Sequence, residues 1–242
     1  MVKDWFWGRL PQWFIQWVVL PGSWFTFFGS VWVAAHRFPG EYDWRYMVVS
    51  RLLSEDKNPQ GYWLIALGTS LSGLMQIPLA SFFYKRLRGT SLWGAKLGWV
   101  FMILGLAAMI LMGVIPYHLS FFSRAHDMLA LAAFMGLVFS VVVNTVLVVQ
   151  QGLFRATGKD SMMSWGLISF MVMVLIPIAG TSLTQLYLYL FSRGLGWVNL
   201  SWRDRGVPVV LSIAFWEWLT CVLLVVYLIL LFRLTCRIKY KI

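Results

Sequence analysis

The residues best suited to chemistry in this chain are three histidines and two acids. His118, His126 and Asp127 fall within ten positions of one another, and His36 closes the first apolar stretch. A His/His/Asp group could hold zinc and lower the pKa of a bound water for hydrolysis. The two histidines are eight residues apart and no HxxxH or HExxH occurs, so the spacing is not that of a zinc-binding helix. Asp127 fits equally well as the N-cap or first-turn acid of a helix. Glu217 lies inside the last apolar stretch, nine residues past Pro208, which at 1.5 Å per residue places it roughly 14 Å along a helix and near mid-membrane. An acid there costs about 2.5–3.5 kcal/mol and is normally turned inward, where Gln76, Thr181 and Gln185 on facing spans are candidate partners. With Asn144 these form a candidate polar core. His118, His126, Asp127 and Glu217 are the candidate catalytic set.

The elements that must position these groups are membrane helices. Hydrophobic residues make up 60% of the 242 and charged ones 12%, where a soluble domain has about a quarter charged. A bilayer core takes about 20 apolar residues per helix, and six windows qualify, near 12–35, 62–84, 92–116, 126–150, 164–191 and 208–232. The expected fold is all-α: one integral membrane domain, a polytopic bundle of six spans. The net charge of +11 does not point to nucleic acid, because Lys and Arg cluster at span ends, where anionic lipid and the positive-inside rule account for them. Two cysteines, Cys221 and Cys236, make neither a disulfide framework nor a metal spacing.

Lys and Arg outside the spans number eleven on the side of both termini and eight on the other, so the termini are expected in the cytoplasm of a cell (inner) membrane protein. All three histidines then lie outside, which argues against stacked haems with ligands near both faces. We expect no resident cofactor, with an outer zinc as the alternative.

The connection from His36 to Gly61 is the longest polar interruption. Asp43 can cap a short amphipathic helix with Trp44, Met47, Val48 and Leu52 on one face, lying along the membrane surface. It is either a connector anchored by Trp44 or a lid over a site. The amino-terminal segment, with Trp5, Phe6 and Trp7, is expected flat at the interface. Pro21-Gly22 predicts a kink in the first span. The fifth connection carries Arg193, Trp197, Trp202, Arg203 and Arg205, an interfacial anchor or a site for a phosphate or carboxylate. Ala132, Gly136 and Ser140 recur every fourth residue in the fourth span, a face for another helix or a partner membrane subunit.

Ser50-x-Leu52-Leu53-Ser54 followed by Asn58-Pro59-Gln60-Gly61, and Gly113-x-x-Pro116 followed by His126 and Ala130, resemble the family labelled domain of unknown function 998. The resemblance covers roughly the first 150 residues. It implies a six-helix membrane protein of a kind found in bacteria and archaea, distantly similar to eukaryotic membrane proteins of lipid-anchor remodelling and autophagy. An acid commonly follows the proline in that family, where this chain has Tyr117 and His118. No G-x-S-x-G, Walker or Rossmann motif occurs. Two classes of function follow. One is a non-enzymatic membrane protein that binds lipid, or a partner subunit, through Trp44, Arg193, Trp197, Trp202, Arg203, Arg205 and an outer crevice. The other is a lipid-modifying membrane enzyme, a hydrolase or acyl transferase, with an outer His/Asp/Glu site.

Overall fold

The structure, a computed structural model, describes residues 5–6, 8–115, 120–155, 165–166, 168–169, 171–172, 175, 180, 203, 206, 208–209 and 212–237, with the backbone alone at 120–127, 152–155, 213 and 237. Helices α1 (Gln12–His36), α2 (Tyr62–Leu87), α3 (Leu92–Val114), α4 (Ser120–Arg155) and α5 (Ile213–Arg237) carry the fold. Among the described residues, five helices are long and apolar enough to cross a membrane. Of the span expected at 164–191, the described residues are helical, and Ile168 and Met171 are buried in the core.

Consecutive helices pack on one another from α1 to α4, and α2 also meets α4 and α5. Helix α2 is the axis of the bundle: 61% of its apolar window is buried, against 28–50% in the other four. Its small and polar residues explain this, since Gly68, Gly73, Ser70 and Ser72 let neighbours approach without a bulky side chain between. Helix α1 widens to a π turn at Ile15–Val19 directly before Pro21, which lacks the N–H that a regular turn would need there.

The expected small-residue face exists with its phase shifted. Gly136 packs backbone to backbone on Gly105 of α3, and Ser140 Oγ donates to Gly98 O at 2.8 Å. Ala132 is exposed, and its neighbour Ala133 takes the buried position, because an α-helix drifts off a strict four-residue repeat. Asn144 Nδ2 donates to Ser140 Oγ at 3.1 Å. Tyr227 of α5, fully buried, donates to Val141 O at 2.9 Å and meets Thr145 Oγ1 at 3.0 Å, tying α5 to α4.

The amino-terminal arm is docked on α2 rather than lying free along an interface. Ser81 Oγ donates to Phe6 O at 2.7 Å, Lys85 Nζ to Gly8 O at 3.3 Å, and Trp5 Nε1 to Leu74 O at 3.4 Å. Gly8 makes the approach at φ +58°, with the α2 backbone so close that a Cβ would lie 2.7 Å from Ser81 C.

Candidate functional site

The segment from Arg37 to Gly61 folds back over one end of the bundle, and side chains from far along the chain hold its backbone. Only Val49–Arg51 is helical, as one 3-10 turn, and the rest is turns and extended chain. The amphipathic helix expected after Asp43 therefore does not form. Its backbone groups are engaged elsewhere: Tyr42 Oη is shared by Met47 O (2.9 Å) and Val48 O (3.0 Å), Trp218 Nε1 donates to Met47 O at 3.2 Å, and Glu217 Oε2 accepts from Val49 N–H at 3.3 Å. Burial, and secondarily the Glu217 carboxyl, push the Tyr42 phenol well above its ordinary value, so it stays a donor.

Two further ties close the segment down. Asn58 is fully buried, and its Nδ2 donates to Ala34 O at 3.2 Å and Leu52 O at 3.1 Å, fastening the loop to the end of α1. Asp43 accepts from Arg45 Nε at 2.8 Å and lies 3.7 Å from Arg203. Those hydrogen bonds from Arg45 hold its carboxyl below the usual carboxylate range. Beneath, Val49, Leu52 and Leu53 pack on Val31, Ala34 and Ile65 in a small core of their own. Met47, Val48, Val49, Leu52 and Leu53 are all buried, whereas Trp44 is exposed.

Under this lid lies a cavity of about 660 Å³, walled by α1, α2, α3, α4 and α5 and roofed by Val48, Val49, Ser50 and Leu53. That volume is in the range of pockets that enclose small organic ligands. From Glu217 to Leu231, both in the wall, α5 rises roughly 21 Å, longer than one leaflet's share of a hydrocarbon core of about 30 Å. Met128 and Leu131 of α4 line the cavity and are also 72% and 39% exposed, so it reaches the lateral surface of the bundle there. Most of the wall is apolar, and a polar stripe runs down α2 through Thr69, Ser72 and Gln76, spaced i, i+3, i+7. Gln76 Nε2 donates to Ser72 Oγ at 3.2 Å. Among the described lining residues Glu217 is the one formally charged group.

A family model described as a protein of unknown function (DUF998) matches residues 24–234. The chain belongs to that family. No curated protein and no solved structure matches it. The family match begins at Trp24, a residue of the cavity wall, and its range contains the lid, helices α2 to α4 and α5 as far as Leu234.

The sequence-derived candidates divide. Gln76, Asn144 and Glu217 do share one cavity. Glu217 lies nearer the start of its helix than expected, however: α5 starts at Ile213 rather than near 208, which leaves Glu217 in its second turn, against the lid. Asp127 is not a helix cap, because α4 begins at Ser120; no proline or glycine between Pro116 and Met128 stops the helix from extending past its apolar part. The side chains of His126 and Asp127, and all of His118, Thr181, Gln185, Arg193, Trp197, Trp202 and Arg205, lie outside the described residues. His36 lies against Trp32, the ring centroids 4.1 Å apart and the planes tilted by 46°, with Nδ1 2.8 Å from Trp32 O, exposed at the end of α1. Among the described residues no three of His, Cys, Asp and Glu come together as a metal site. Tyr42, Asn58, Trp218, Trp24 and Thr69 were absent from the sequence-derived site; of these Thr69 had a readable signal in its helical spacing from Ser72 and Gln76, and Asn58 in the motif that carries the family resemblance.

Proposed function

We propose that the chain is a non-enzymatic six-span protein of the cell (inner) membrane, with both termini in the cytoplasm, that takes a lipid from the bilayer into the cavity beneath the Arg37–Gly61 lid. The observation that carries this reading is an apolar cavity as deep as a leaflet that reaches the side of the bundle at Met128 and Leu131, where lipid chains lie in a membrane. The lid seals the end that would face water. On its outer surface exposed Trp44 stands with Arg45 and Arg203, an aromatic and basic set suited to the headgroup layer.

A lipid-modifying enzyme would use Glu217 as its acid. The Glu217 carboxylate already accepts a hydrogen bond from Val49 N–H, which supports a latch for the lid instead. The reading is tested by extracting the protein with its surrounding lipid into polymer nanodiscs and comparing bound lipid by mass spectrometry with that of Leu224→Trp, whose larger side chain fills part of the cavity. A lipid held by the natural protein at about one per chain and lost from the variant is expected. An unchanged lipid complement in a folded variant would overturn the assignment.

A further inference from the structure

Glu217 belongs to the cavity wall and to the lid's fastening at once. Its side chain is half-buried, and among the described residues its one hydrogen bond is the one that Oε2 accepts from Val49 N–H at 3.3 Å. A carboxylate has two oxygens with room for about four donors, so the latch uses only part of its accepting capacity. A carboxylate held in an apolar wall with one neutral partner is costly, and a ligand that brings the opposite charge together with several N–H donors offsets that cost.

Helix α1 supplies aromatic surface at the same end of the cavity. Trp24, Phe27 and Phe28 all line it, and their i, i+3, i+4 spacing puts them on one face of α1. Phe27 packs in the small core that holds Val49, Leu53 and Trp218, and its ring meets that of Phe28 edge-on with the centroids 5.2 Å apart. Both rings therefore stand at the lid end, beside Trp218 and the lid residue that Glu217 bonds. Cations are attracted to aromatic ring faces, so an acid among such rings is the chemistry that receives an ammonium. The lid adds the other sign, since Arg51 acts electrostatically on the Tyr42 phenol, as Glu217 does. A headgroup that carries a phosphate next to its ammonium meets both charges there.

Resting on the lipid-binding reading, we propose that Glu217, with Phe27 and Phe28, forms the headgroup subsite of the cavity and selects a lipid that carries a primary ammonium, of the phosphatidylethanolamine class. The test uses the full chain in phosphatidylglycerol nanodiscs with two photoactivatable probes of identical acyl chains, a phosphatidylethanolamine and its N-acetyl derivative, which keeps the phosphate and lacks the ammonium. The ammonium probe is expected to crosslink to cavity peptides with an affinity about tenfold higher. Glu217→Gln keeps an oxygen for Val49 N–H and removes the charge, and should bring the ammonium probe down to the level of the N-acetyl probe while leaving the latter unchanged. If that variant does not fold, Phe28→Leu, which removes one ring and keeps an apolar side chain, should weaken the ammonium probe about fivefold and the N-acetyl probe much less. Equal affinity of the natural chain for the two probes, or a preference that survives a folded Glu217→Gln or, in its place, Phe28→Leu, overturns the subsite alone. Failure of both probes to bind the natural chain overturns the lipid-binding reading with it. Soluble glycerophosphoethanolamine, the same headgroup without chains, should not displace the ammonium probe; displacement would make the ligand a free amine and overturn the lipid-binding reading while leaving the ammonium site.

Discussion

Asp43 joins two segments that are distant in sequence: its carboxylate takes the Arg45 guanidinium at 2.8 Å and faces Arg203 at 3.7 Å, so the lid is tied to the chain that leads into α5. The hydrogen bonds from Arg45 lower its pKa. A depressed folded-state pKa means that the stabilisation is complete above the ordinary carboxylate range and is lost as pH falls through the lower, folded value. Hydrogen exchange along residues 43–47, corrected for intrinsic rates, should therefore show constant protection from pH 8 to 5 and a decline only below about pH 4. In Asp43→Asn that part of the decline should vanish. A loop whose protection already falls between pH 7 and 5 would contradict the assignment. Asp43 was visible in the sequence as a cap, and its role as a local cap survives in part, since it accepts from Arg45 N–H at 3.2 Å. Its long-range partner was not visible, and neither were the roles of Asn58, Tyr42 and Trp218. Each bonds a backbone carbonyl, and a carbonyl's need for a partner leaves no trace in residue type.

At the scale of elements, apolar length was a reliable guide and the polar segments were not. Helices α1 to α3 end within three residues of their expected limits, because the bilayer sets how much apolar chain each needs. The helix expected after Asp43 fails because a tertiary network bonds Met47, Val48 and Val49 more favourably than their own turn would. The docked amino-terminal arm was hidden for a related reason: it depends on Gly8 meeting the backbone of α2, over seventy residues away. The small-residue seam between α3 and α4 was readable to within one residue of phase, and it supports a quantitative expectation. A Cβ on Gly136 would lie 2.8 Å from Gly105 Cα and 2.9 Å from Phe101 O, both backbone atoms that cannot swing aside. Gly136→Ala should therefore destabilise by about 1–3 kcal/mol through overpacking. Gly29→Ala, with nothing within 4 Å, should match or exceed the natural chain, given a helix preference of about 1 kcal/mol for alanine. Thermal unfolding in detergent compares them, and a Gly136→Ala melting point at or above that of Gly29→Ala would mean that the seam opens in the membrane-extracted protein.

For the whole molecule, the remaining decision is which way the lid faces, because that sets the leaflet from which the cavity would draw lipid under the proposed function. The loop end carries acids beside its bases, Asp43 with Arg45 among them, while the opposite end of α2 presents Lys85, Arg86 and Arg88 in one short run. Short clusters of Lys and Arg hard against a span govern orientation, so the run at the end of α2 is expected in the cytoplasm and the lid outside. Reporter cysteines can decide this once placed on exposed positions at the two ends of α2. Asn58, an obvious choice from sequence, is fully buried and would disturb the lid; Gln60 is exposed, and Gly89 at the far end is exposed with nothing within 4 Å. In a background with Cys221→Ser and Cys236→Ser, Gln60→Cys should react with a membrane-impermeant maleimide on intact cells, and Gly89→Cys only after the membrane is opened. The reverse pattern would place the lid in the cytoplasm. The cavity mouth at Met128 and Leu131 would then face the inner leaflet, and the lipid of the proposed function would be drawn from the cytoplasmic side of the membrane.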